Sequence, residues 1–314
     1  MGRGLANLDP GEPSKQVINA MPGFMYDITD TPAKLEQRLQ SITQIYNTIG
    51  DVIPHAKYIF TRIHFAALLV MPERHLQKES VGDYYLKPAL HWDHFRQFVE
   101  IWLGFFLKDR VEFGVTTQGS NPEEIVTCLQ RDANLCPLTC SAYPVAAHII
   151  PYIATATYQH MDFIAKSKDW IAKIVGDEDL DRGLKEHPEF PYYCLRGLGF
   201  ADRAWNMLSL DPEIVEHWRK ARCAFKYIGK TLINEKTTEL TFEFRWLPVN
   251  RLHPKEVASK NMSEIRYMFD PASNADESST PRAAPPMDIP SGKRFNVQVR
   301  TVDAPKMVFA MDLQ

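Results

Sequence analysis

The sequence predicts an α+β protein with an N-terminal helical layer over residues 31–130 and accessory antiparallel strands near 231–248 and 295–302. Two observations carry that expectation. Apolar residues recur at helical spacing through the first third of the chain, whereas strict alternation of apolar and polar residues appears only after residue 230. A third bears on what surrounds the fold: the most apolar run, within 65–71, is far shorter than the roughly 18–20 residues a bilayer needs, so no membrane partner is expected.

The elements follow in order. Residues 1–30 form a Pro/Gly-punctuated lead segment. Thr31 and Pro32 then open a helix, as N-cap and first helical residue, with Leu35, Leu39, Ile42, Ile45 and Ile49 on its apolar stripe and Gly50 as its stop. Residues 56–71 and 94–107 also read as helices, the second because Phe95, Phe98, Val99, Trp102, Phe105 and Phe106 share a face. Asn121 caps a further helix that opens at Pro122 and runs through Leu129. Within residues 231–247, alternation through Leu240, Phe242, Phe244 and Trp246 predicts a half-buried strand, preceded by a hairpin turn at Asn234-Glu235-Lys236. Accessory strands thus occupy 229–270. Residues 271–292 are rich in Pro, Ser and Ala and are expected to be a disordered or loosely tethered loop. The C-terminal segment 293–314 is expected to carry the strand near 295–302, with Phe295, Val297 and Val299 alternating.

At 314 residues with 45% hydrophobic side chains, the chain suits one compact unit with insertions. Its formal charge of -3 supplies no global basic field, so nucleic acid is not the default partner. Five cysteines at irregular spacing, and an opening MGRGLANLDPGEPSKQ without an apolar signal region, point to an intracellular, cytoplasmic protein with reduced thiols. Gly2 does not complete a myristoylation pattern, because Ala6 stands where Ser or Thr is wanted. No internal repeat is visible.

The central stretch carries the motifs. Arg131-Asp132, Cys136 and Thr139 are followed by Ala147-His148-Ile149-Ile150-Pro151, then by Asn206-Met207-Leu208-Ser209-Leu210-Asp211-Pro212, Trp218 and Ala224-Phe225-Lys226. These segments resemble the RD-x-x-x-C-x-x-T, A-H-I-I-P and N-L-x-x-L-x-P motifs of the HNH nuclease domains common in filamentous fungi. The later FRWLP and the C-terminal tail resemble that family's accessory strands. The resemblance implies an HNH-like ββα-metal core over 131–228, interrupted by a helical insertion at about 155–200 that holds a helix near 161–174 and an acidic run at 177–181. It gives His148 the role of general base and Asn206 that of holding the backbone around it, beside a Mg or Mn ion that would neutralise a phosphate.

At the metal the sequence departs from the family. The second histidine of the pattern falls on Val215, whose alkyl side chain has no lone pair, and Ala147 before His148 supplies no donor either. His217 is a substitute only if the backbone shifts, since two residues along a helix turn it about 200° around the axis. Asp211 reads as the N-cap ahead of Pro212. Cys136 and Cys140 give a weak zinc hint without a second pair, and Cys194 and Cys223 read as small buried residues. Tyr152, Trp205 and His217 are candidates for contacting a substrate. Trp170, Tyr192 and Tyr193 are read as core, and Arg196, Arg203, Arg219, Lys220 and Arg222 as a solvated face.

Three functions are compatible with this pattern. The one favoured is a scaffold that has lost its metal ligand and works without a cofactor, using His148 as general acid or base on a small apolar molecule. Its reaction would be an isomerisation, cyclisation or elimination in a biosynthetic pathway. The alternative is a Mg- or Mn-dependent HNH endonuclease acting on nucleic-acid phosphodiesters, with the His148 region and His217 at the metal. A catalytically inert binding or structural protein is the third.

Overall fold

The computed structural model describes residues 32–52, 61–81, 88–107, 121–175, 197–220, 222–247 and 288–313. Among them are helices and antiparallel strands, as an α+β chain requires. No described helix is long and apolar enough to cross a membrane.

The helical layer begins with α1 (Pro32–Val52), which buries Leu39, Ile42, Ile45 and Ile49. The helix runs through Gly50 instead of stopping there, because Ile49 docks the last turn and one helical glycine costs only about 1 kcal/mol. Thr31, its expected cap, lies outside the described residues. Helix α2 (Arg62–Val70) occupies part of the expected 56–71 and ends before Pro72. Arg38 of α1 closes that end by donating to Leu69 O at 3.2 Å and Met71 O at 2.6 Å. Helix α3 (Glu73–Val81) has no counterpart in the sequence reading, since ERHLQKESV buries little apolar surface besides Leu76. Helix α4 (Pro88–Leu107) starts earlier than expected and buries Trp92, Phe95, Phe98, Val99 and Phe105.

His64 sits in the first turn of α2, where its Nδ1 accepts from Thr61 N at 3.0 Å. Only a ring with a bare Nδ1 can do so. Burial is the main cause that lowers its pKa to about 4, with the Arg96 charge acting in the same sense and a backbone hydrogen bond at Arg96 opposing it. The folded value thus lies below the ordinary imidazole value, and the unfolded chain binds this proton more tightly. The stabilisation is complete above about pH 6.5 and is lost as pH falls toward 4, by roughly 3 kcal/mol in all. Urea melts across that window are expected to show the decline, and His64→Gln, which keeps an acceptor for Thr61, is expected to flatten it.

Helix α5 (Pro122–Arg131) is capped as expected, Asn121 accepting from Glu123 N. It leads to β1 (Val145–His148), a 3-10 turn (Tyr152–Thr155), α6 (Tyr158–Lys166) and α7 (Lys168–Val175). One helix was expected over 161–174; two are found, meeting at Ser167, whose carbonyl accepts from Trp170 N and Ile171 N. A second 3-10 turn (Ala204–Asn206), β2 (Met207–Leu210) and α8 (Pro212–Arg219) follow. Strands β1 and β2 pair antiparallel from Val145↔Leu210 to His148↔Met207.

A second sheet has the order β3-β4-β5, formed by β3 (Cys223–Asn234), β4 (Thr237–Trp246) and β5 (Arg294–Arg300). The hairpin turn at Asn234 is as expected, with its side chain accepting from Lys236 N. Strand β3 begins at Cys223, well before residue 231, because a bulge at Tyr227/Gly229 and an exposed distal half erase the alternation. The final strand expected near 295–302 is β5, and after it the C-terminal segment forms a helix that the sequence reading did not include, α9 (Ala304–Leu313), whose Met307, Phe309, Ala310 and Met311 pack into the core. Consecutive apolar residues suit a buried helix as well as a strand, so alternation could not separate the two. Most of the loop expected at 271–292, and the acidic run 177–181, lie outside the described residues.

The main apolar cluster takes side chains from α1 to α4 and from α6 to α9, while Cys128 of α5 packs with Ala204 and Met207 in a smaller second one. Helix α7 is joined to the helical layer by a buried carboxylate. Glu79 of α3 receives Lys173 of α7 at 2.6 Å and lies 2.9 Å from His91 Nε2 of α4. Lys173 lies over the Trp170 ring, which also meets Trp92 and Phe95 at centroid separations of 5.8 and 4.7 Å.

Candidate functional site

The site is built on the short β1-β2 ladder, with α5 packed against β2 and α8 following it. Arg131, the last residue of α5, fixes that arrangement. Its guanidinium donates to Ala204 O and Met207 O, each at 2.9 Å, and is paired with Asp132, which in turn accepts from Ser209 N. Burial works against the guanidinium's charge, but Asp132 outweighs it and the pKa is raised. Cys128 lies on the same face, 3.4 Å from Ser209 Oγ, and burial pushes its thiol up.

Between α5 and β1 the chain makes a tight knuckle closed by the Leu135↔Ala142 bridge. Ala133, Asn134, Cys140 and Tyr143 adopt positive φ there. Cys136 is buried and accepts from Thr139 N at 3.4 Å, whereas Cys140 is exposed, and both are free thiols. Ser141 donates to Asp211 Oδ2 at 2.7 Å, while Asp211 Oδ1 caps α8 through Glu213 N, as expected. Cys223 is buried, which pushes its thiol up to about 12 and suits its reading as a small core residue. Cys194, Tyr192, Tyr193 and Arg196 lie outside the described residues.

His148 closes the end of β1. Its side chain is 5% exposed, and Nε2 lies 2.8 Å from Oδ1 of Asp202, itself only 6% exposed. The other Asp202 oxygen accepts from Asn121 N. The Tyr152 ring stands beside the imidazole, with centroids 5.6 Å apart.

Asn206 is fully buried. Its Oδ1 accepts from Ile150 N at 3.0 Å, and its Nδ2 donates to Ile150 O and Ala201 O, each at 2.7 Å. Its backbone carbonyl accepts from Ile149 N at 2.8 Å. The side chain holds backbone and has no polar group left over for a substrate.

Of the three residues suggested to contact a substrate, only Tyr152 is brought to His148 by a described contact. Trp205 is a core residue, 8% exposed. His217 is buried on α8 against the Trp246 ring, 5.2 Å away and edge-on, and its Nδ1 has no hydrogen-bond partner. Val215 also joins the main apolar cluster, at 4% exposure. Among the described residues no group of three or more His, Cys, Asp or Glu is placed to hold a metal ion. Arg203 and Lys220 are paired with Glu124 and Glu216.

The residue that sequence reasoning missed is Asp202. It is 54 positions from His148, so no local period links the two. The only hint is an acidic side chain in the short run Ala201-Asp202-Arg203-Ala204 that precedes Asn206. No protein-family model, no curated protein and no solved structure matches this chain.

Proposed function

We propose that this chain is an HNH-nuclease-like scaffold that has lost its metal ligand and acts as a general acid/base enzyme on a small apolar molecule, with His148 moving the proton. The observation that carries the reading is Val215. It stands on the helix after the two strands, where the resembling nucleases place a metal-binding histidine, and its side chain is absorbed into the apolar core. An alkyl group there cannot bind a cation, while His148 is held by a buried carboxylate. A positioned imidazole in a nearly enclosed setting suits isomerisation, cyclisation or elimination, which need a base and little water more than an ion.

The test is conversion of small molecules from a host-cell extract, followed by mass spectrometry with a chelator present. The expected result is a chelator-insensitive product of unchanged mass, or one lacking a small neutral fragment. His148→Ala is expected to slow its formation by about 100-fold or more. A second reading, a divalent-metal endonuclease, draws its support from the strand-strand-helix order, with His148 on the first strand, Asn206 just before the second and Val215 on the helix. Plasmid nicking that requires Mg or Mn and disappears in His148→Ala would replace the first reading with the second.

A further inference from the structure

We propose that Asp202 is the positioning partner of His148: it fixes the Nε2–H tautomer, so that Nδ1 is the atom that takes up and returns the proton, and Asn206 sets the separation of the pair. An ionised carboxylate only accepts hydrogen bonds. At 2.8 Å from Asp202 Oδ1, Nε2 is therefore the nitrogen that carries the hydrogen, and in a neutral ring Nδ1 is then bare. The other Asp202 oxygen faces a group that can only donate, Asn121 N–H, which favours the ionised carboxylate. Among the described residues nothing hydrogen-bonds to Nδ1 of His148.

The restraint on the pair is built from both sides. Asp202 sits in a turn latched to the 3-10 segment that follows β1. Gly199 N donates to Thr155 O and Ala201 N to Thr155 Oγ1, each at 3.0 Å, and Asp202 N returns to Gly199 O at 2.9 Å. Gly199 has φ 72, a conformation that suits a residue without Cβ. The Asn206 carboxamide then bridges the two segments that carry the pair. It binds both backbone groups of Ile150, just beyond His148, and the carbonyl of Ala201, just before Asp202. One side chain thus fixes the chain on either side of the imidazole-carboxylate contact, as supporting shells do around reacting groups.

In the reaction, Nδ1 takes a proton from the substrate and the ring becomes an imidazolium whose Nε2–H stays on Asp202. The same Nδ1 later returns a proton to the product, so protons balance and no co-reactant is needed. This use of Nδ1 rests on the acid/base reading above; the tautomer does not.

The experiment is long-range proton-nitrogen correlation NMR on the full 15N-labelled chain, at a pH above the ordinary imidazole range, with His148 assigned by its loss in His148→Gln. The expected spectrum shows a protonated-type Nε2 and a bare-type Nδ1. Asp202→Asn is expected to lose this single-tautomer pattern, and Asp202→Glu to restore it. A hydrogen on Nδ1 in the wild-type chain, or an Asp202→Asn spectrum unchanged at His148, would overturn the proposal. Once His148 is assigned, the wild-type spectrum decides the tautomer even if an Asp202 variant fails to fold. If the tautomer is as expected and no extract conversion depends on His148, the acid/base reading fails, and with it the role of Nδ1, while the tautomer assignment stands.

Discussion

Asn206→Ala is expected to destabilise the chain by about 3–5 kcal/mol, read as a lower urea midpoint at an unchanged slope. The truncation removes three hydrogen bonds from a fully buried position, leaving Ile150 N, Ile150 O and Ala201 O without their partner. Each such orphan costs about 1–3 kcal/mol, and partial relaxation keeps the sum below the maximum. Asn206→Asp is the informative comparison, because it preserves shape and the acceptor for Ile150 N. Its second oxygen would face two carbonyls with no proton to offer, so the near-isosteric change is expected to be at least as damaging as alanine. A mild effect of Asn206→Asp would mean that the loop reorganises around the side chain.

Arg131→Ala is expected to cost about 3–5 kcal/mol as well, by a different route. Here the loss is of a nearly buried cation that neutralises Asp132 and satisfies the carbonyls of Ala204 and Met207. Asp132, with 4% of its side chain exposed, would keep the Ser209 N–H but no countercharge. Arg131→Lys is not a rescue: an ammonium cannot fork to a carboxylate and two carbonyls at once, so it should recover only part of the loss. Thermal melts of both variants check this, and pairing Arg131→Met with Asp132→Asn should restore stability relative to Arg131→Ala, since no unpaired charge then stays buried.

What the sequence made legible depended on whether a residue's role repeats locally. The stripe of Leu39, Ile42, Ile45 and Ile49 repeats every turn, and the caps at Asn121 and Asp211 act within two residues of themselves, so helices and their starts could be read. Helix α3 and the first half of β3 could not: α3 buries little besides Leu76, and the alternation of Cys223 and Phe225 is cut short by the bulge at Tyr227/Gly229. The tail after β5 showed the opposite difficulty. Phe309, Ala310 and Met311 are all buried in succession, which hides whether the chain turns or extends.

The candidate site divides in the same way. His148 and Asn206 stood out only through the motif resemblance, and Asn206 indeed spends its carboxamide on backbone. Asp202 owes its place to the turn around Gly199 and to the backbone N–H of Asn121, neither of which has a counterpart near His148 in the sequence. Likewise His217 looks available on paper, and it is the packing of α8 against Trp246 that takes it away.

The Glu79 contact between the helical layer and α7 changes what should be regarded as a unit of this protein. The motif-bearing stretch reads as a module with edges near residue 131, yet α7 lies within it and rests on Trp92, Phe95 and a carboxylate supplied from outside. Opening the helical layer would strip Trp170 of those neighbours and leave Lys173 without its countercharge. The edge seen in the sequence is therefore an edge of motif and not of packing: α7 and the helical layer are expected to open together in hydrogen exchange.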